Sequence, residues 1–169
     1  VEDVTAYEID KVLGIEPEAY DRFYEQYGVQ LHRDARVRPS ATRVINRLIR
    51  SHQIHFVTAR AEKMRDVSLE WLNRHRIPMN SISLLSSHDK VQRAFELECD
   101  LFIEDRYENA SQLANAGFPV VLIDCSYNQG SLPSNAIRVA DWYQIERIIA
   151  RMASASQSVF GLGFDAAIA

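Results

Sequence analysis

Two spacings of apolar residues alternate along the chain. Short, mostly apolar runs recur at Ile54–Val57, Ile82–Leu85, Leu101–Ile103, Val120–Ile123 and Ile137–Val139. Runs of this length predict strands covered on both faces, as in a parallel sheet between helices. Helical spacing fills the intervals. Pro39 and Ser40 open a helix whose buried stripe is Val44, Ile45, Leu48 and Ile49. Further helices are predicted over Arg65–Arg74, Lys90–Leu97, Asn109–Ala116 and Trp142–Met152, with Gly117 as a left-handed stop. The alternation predicts an α/β fold: a Rossmann-like parallel sheet flanked by helices. Residues 1–38 show helical spacing only. Pro17 suits a first helical turn, and Tyr20, Phe23, Tyr24 and Tyr27 share one helix face, expected to pack against the core, with ligand stacking by any one of them as the alternative. The organisation expected is a small helical cap over 1–38, an α/β core over 39–151, and a tail over 152–169. In that tail Ala153–Ser158 reads as a linker, and the apolar run from Val159 to Asp165 as a candidate core strand.

Composition narrows the classes. With 169 residues, 47% hydrophobic and 25% charged, the chain can bury the core of one folded domain. Its net charge of −4 and scattered basic residues give no footprint for a nucleic acid polymer. A phosphorylated substrate would need a local positive site. No apolar run is long enough to span a bilayer, so no membrane partner is expected. Cys99 and Cys125 lie in or beside apolar strands. Buried free thiols in a reducing cytoplasm are expected, a single disulfide being the alternative. Val1 is not an initiator Met, and no secretory signal follows it. The pattern sets no oligomeric state.

Candidate chemistry sits where strands end, the edge at which open parallel sheets bind ligands. Leu101-Phe102-Ile103 runs into Glu104-Asp105, two carboxylates able to hold a hard cation such as Mg²⁺, or else acids that start a helix. His55-Phe56-Val57 runs into Thr58-Ala59-Arg60, a hydroxyl, backbone N–H groups and a guanidinium that suit a phosphate; Thr58 as a helix cap is the alternative. Lys90 follows Ser86-Ser87-His88-Asp89 at a predicted helix start. A cation there has the wrong sign for the helix dipole. An anion nearby would explain it, unless Lys90 is simply a surface residue with Asp89 as the cap.

Thr58, Lys90 and Glu104-Asp105, in that order and at those spacings, resemble the haloacid dehalogenase-like hydrolases over about residues 54–125. Asp3-Val4-Thr5, Thr58-Ala59-Arg60, His88-Asp89-Lys90, Asn109, Tyr127-Asn128 and Arg138-Val139 with Trp142 are similar to the 5′(3′)-deoxyribonucleotidase and bacterial nucleotidase branch. The resemblance implies a Mg²⁺-dependent phosphomonoester hydrolase that acts on a nucleoside monophosphate through an aspartyl-phosphate. It implies phosphate binding by Thr58, Ala59, Arg60 and Lys90, and metal binding by Glu104 and Asp105. The nucleophile, also a metal ligand, would close a strand in the pattern Asp-x-Asp-x-Thr. Only Asp165 offers this, and Ala167 and Ala169 stand where the second Asp and the Thr would fall. The tail is then a permuted or displaced first strand, or unrelated to that motif. A catalytically impaired or non-catalytic ligand-binding protein is the alternative that Ala167 favours. A Rossmann-type transferase is disfavoured, because Gly161-x-Gly163 leads into no helical pattern.

Overall fold

The structure, a computed structural model, describes residues 8–160 and 166–168. Six parallel strands form one sheet: β1 (Ile54–Thr58), β2 (Ser81–Leu84), β3 (Leu101–Glu104), β4 (Val120–Ile123), β5 (Ala136–Val139) and β6 (Ala166–Ile168). Their spatial order is β2-β1-β6-β3-β4-β5. The helices are α1 (Ile9–Leu13), α2 (Pro17–Asp34), α3 (Ala41–Leu48), α4 (Arg65–Arg74), α5 (Val91–Glu96), α6 (Tyr107–Asn115) and α7 (Trp142–Phe160). The α/β, Rossmann-like expectation holds.

Strand periodicity explains the layering. In β3, Leu101 and Ile103 face one side with Val121 and Ile123 of β4, packed on Val44, Ile45 and Leu48 of α3 and Ile145 and Ile149 of α7. Phe102, Val120 and Leu122 face the other, packed on Ala94 of α5 and Ala110 and Leu113 of α6. Both faces are covered, so these strands contain no polar alternation.

The centre of the sheet is β6. Ala166, Ala167 and Ile168 pair with Ile54, His55 and Phe56 on one side and with Leu101, Phe102 and Ile103 on the other. The tail thus supplies a core strand. Of the strand expected over 159–165, Val159 and Phe160 end α7, and residues 161–165, Asp165 among them, are outside the described residues. The expected linker at Ala153–Ser158 is helical as well, as α7 runs on to Phe160. Alanine is the strongest helix former, and neither Gly nor Pro interrupts the segment, so small size did not mean irregular structure.

α2 leans on the start of α4. Its one buried residue is Gly28, where a Cβ would meet Met64 Cε at 3.2 Å. Trp71 Nε1 donates to the Ala35 carbonyl at 2.7 Å and ties down the end of the helix. Core packing does not hold for two of the four aromatics of this face. Phe23 and Tyr27 are 47% and 41% exposed. The inner face follows Tyr20, Tyr24 and Gly28; Phe23 and Tyr27 lie on the adjacent stripe and pack on each other at 5.2 Å between centroids.

If β6 holds the two halves of the sheet together, Ile168→Ala should lower stability by about 3 kcal/mol, the cost of an unfilled core cavity. Urea unfolding measures this; a loss typical of a surface site would show that β6 is not a core strand.

Candidate active site

Chain order reverses about β6: β1 leads outward to β2, and β3 to β4. Ligands bind at such a switch point, outside the carboxyl ends of the strands. Thr58 closes β1, Glu104 closes β3, and Lys90 sits at the start of α5. A cleft of about 510 Å³ opens among them, lined by Thr58, Ala59, Arg60, His88, Lys90, Glu104, Asp105, Arg106 and Asn109 below and by Tyr20, Asp21, Tyr24 and His32 of α2 above.

Lys90 is not a surface lysine. Its side chain is 5% exposed and its Nζ donates to Glu104 Oε1 at 2.6 Å, with Glu104 1% exposed. Asn109 Nδ2 also donates to that oxygen, at 3.3 Å. Burial pushes the Glu104 carboxyl above the usual range, against the opposing pull of Lys90. Asp89 takes the local turn: its Oδ1 accepts from Val91 N–H at 3.1 Å. The anion that the misplaced cation required is therefore Glu104.

Thr58 does not cap a helix. After β1 the chain passes through a short 3₁₀ turn, Glu62–Met64, before α4, and neither helical start has a side-chain cap. The Thr58 hydroxyl instead accepts from Arg60 N–H at 3.4 Å. Among the described residues no acceptor takes the Ala59 N–H. Arg60 is braced rather than mobile, since its Nη1 donates to Ser68 Oγ at 2.8 Å and Ser68 Oγ donates to the Met64 carbonyl at 2.7 Å.

Asp105 is half-exposed beside its buried neighbour. Its Oδ2 accepts from the Tyr127 hydroxyl at 2.7 Å and lies 3.9 Å from Arg38 Nη2. The phenol of Tyr127 is pushed up by burial and by the neighbouring thiol and carboxylate, so it keeps its proton. Cys99 and Cys125 are free thiols as expected, although only Cys99 is fully buried.

The structure brings Thr58, Ala59, Arg60, Lys90, Glu104 and Asp105 together. Sequence reasoning missed Arg38 and His32. Arg38 precedes Pro39 in no periodic pattern, and only the fold carries it to β3. His32 lies two turns from Tyr24, which it hydrogen-bonds. Burial, with Arg60 adding to it, pulls its imidazole down to about 4.

An open parallel sheet with this hydroxyl, lysine and acidic pair at its switch point has the architecture of the haloacid dehalogenase-like phosphohydrolases. The chain belongs to the family of 5′ nucleotidase, deoxy (pyrimidine), cytosolic type C proteins, whose family model it matches over residues 1–155. It is 40% identical over 157 residues to a nucleotidase of Clostridium acetobutylicum, covering 93% of this chain and 82% of that protein. Two proteins named as nucleotidase candidates are also similar. That of Bacillus subtilis is 33% identical (84% of this chain, 74% of the relative), and that of Halalkalibacterium halodurans 30% (84% and 73%). No solved structure matches the chain. The protein is thus a hydrolase of phosphate monoesters, with a small phosphorylated substrate such as a nucleotide; its family generally uses a divalent metal. Among the described residues no helix is long and apolar enough to cross a membrane.

Two outcomes are expected. Lys90→Met leaves the Glu104 carboxylate buried without its partner and should cost about 3–5 kcal/mol, whereas Lys90→Met with Glu104→Gln should recover most of that loss in urea unfolding. His32 binds a proton more readily unfolded than folded. Stability should therefore fall as pH drops from about 6.5 towards about 4. Melting temperature against pH should show that slope, flattened in His32→Gln.

Proposed function

We propose that the protein is a Mg²⁺-dependent nucleotidase of the cytoplasm that hydrolyses nucleoside monophosphates through an aspartyl-phosphate. One observation supports the reading above all: a hydroxyl, a buried ammonium and two adjacent carboxylates converge from separate strand ends on one cleft. Thr58 Oγ1, the Ala59 N–H and the Arg60 guanidinium would bind the phosphoryl oxygens. Lys90 would offset charge between phosphate and carboxylates.

The donor set fits a hard cation. Glu104 commits Oε1 to Lys90 and Asn109, and Asp105 commits Oδ2 to Tyr127, so each keeps a second oxygen that accepts no hydrogen bond from a described residue. No larger group of metal-binding side chains occurs among the described residues. Mg²⁺ is commonly held by one or two carboxylates, with waters and substrate phosphate completing its shell, and such a metal polarises the phosphoryl group.

Residues 1–38 would act as the cap over the 39–151 core. Tyr20, Asp21, Tyr24 and His32 would close on the nucleoside and choose it. The attacking carboxylate would come from outside the described residues. Asp165 is the sequence expectation for it. Ala166, the next residue, is level with Ile54 and Leu101, whereas Thr58 and Glu104 close those strands at the other edge of the sheet.

Turnover of deoxynucleoside and nucleoside monophosphates should require Mg²⁺, and Mg²⁺ should raise the melting temperature by mass action. Glu104→Gln with Asp105→Asn should abolish that rise, and Thr58→Ala should weaken inorganic phosphate binding about tenfold. Asp165→Asn should abolish turnover if Asp165 attacks phosphorus. A Mg²⁺ response that survives the double substitution would remove these carboxylates from the metal site.

A further inference from the structure

Asp105 is oriented by residues outside the cleft. Arg38 Nη2 carries two protons and has two acceptors: Cys125 Sγ at 2.7 Å and the Tyr127 phenol oxygen at 3.3 Å. A guanidinium only donates, so the phenol oxygen is an acceptor towards Arg38 and must direct its own proton elsewhere. Of the acceptors near it, the Asp105 carboxylate is stronger than the Cys125 thiol, and Oδ2 lies 2.7 Å away. The backbone of Asp105 is fixed too. Asn128, fully buried, donates from Nδ2 to the carbonyls of Asp105 at 2.7 Å and Ile123 at 2.8 Å, which ties the end of β3 to the end of β4. Its Oδ1 accepts from Cys125 N–H at 3.1 Å.

We infer that Tyr127, aimed by Arg38, is a positioning residue that engages Oδ2 of Asp105 so that Oδ1 is the oxygen presented to the divalent cation. Neither Tyr127 nor Arg38 lines the cleft, so both act through Asp105. The inference rests on the metal-site reading above. A half-exposed carboxylate otherwise rotates, and a cation that meets it must order it at binding. Fixing one oxygen in advance removes that cost, and loss of such outer partners weakens metal sites about 10–100-fold.

The test is titration of the full chain with Mg²⁺ alone, followed by melting temperature and by calorimetry well below melting. Tyr127→Phe should raise half-saturating Mg²⁺ about tenfold or more while the melting temperature without metal stays near wild type. Arg38→Met should raise it less, and adding it to Tyr127→Phe should change little, because both act along one path. Arg38→Lys should restore most of what Arg38→Met loses. If Asp105→Asn abolishes the Mg²⁺ response but Tyr127→Phe leaves its midpoint unchanged, the positioning role is wrong and the metal site stands. If the wild type shows no response, or Asp105→Asn retains it, the metal-site reading fails and this inference with it. Should Tyr127→Phe melt lower without metal, calorimetry at low temperature still decides by the midpoint alone.

Discussion

The buried pair between Lys90 and Glu104 is the constraint on which the site depends. Both side chains are almost fully out of water, with 2.6 Å between Nζ and Oε1. Removing two charges from water costs several kcal/mol each, and their attraction repays this only with good geometry and further hydrogen bonds. Asn109, one turn into α6, supplies one such bond. The pair therefore fixes three elements at once: the start of α5, the end of β3 and the first turn of α6. A hydrophobic substitute could hold them together as well, so the charges are better explained by what they do in the cleft. A cation and an anion held side by side, each with capacity left over, would suit the proposed binding of both an anionic phosphate and a divalent metal.

The position of that pair follows from sheet topology. The strands flanking β6 send their chains outward in opposite directions, so their carboxyl ends part and leave a cleft. α2 closes it from above because Gly28 lets the helix approach Met64 closely, and because Trp71 holds its end at Ala35. The inner stripe of α2 then offers aromatic faces and an imidazole held neutral by burial, and Arg60 below offers fixed charge. Under the proposed function, polar recognition of a nucleoside and charge recognition of its phosphate would fall to different layers.

Legibility of the sequence followed the physics of each element. Strands buried on both faces leave unbroken apolar runs, so β1, β3 and β4 were legible to within a residue at each end, and α4 matched its expected bounds. Lys90 was informative because a lone cation at a helix start contradicts the dipole, a conflict visible without coordinates. The Ala/Ser segment of α7 was misread because small residues are compatible with linker and helix alike, and packing of Ile145 and Ile149 upstream decides. The stripe on α2 was half right. Helical spacing shows which residues share a face but not how far that face turns inward. Arg38 left no local signal, as its partners lie 87 and 89 residues away.

The contrast between the two acids of one dipeptide carries the argument furthest. Glu104 closes β3 and Asp105 follows it, and the two carboxylates of the cleft take different partners. One becomes a buried carboxylate held by an ammonium, the other a half-exposed carboxylate held by a phenol. The phenol contributes a single, directional proton to Oδ2 and leaves the second oxygen of Asp105 without a donor among the described residues. Arg38 makes a longer ion pair with Oδ2, at 3.9 Å against the 2.6 Å between Lys90 and Glu104, and also donates to the phenol oxygen. The same acidic pair therefore supplies a short, buried ion pair that orders the fold and a half-exposed carboxylate held by a neutral donor and a longer ion pair.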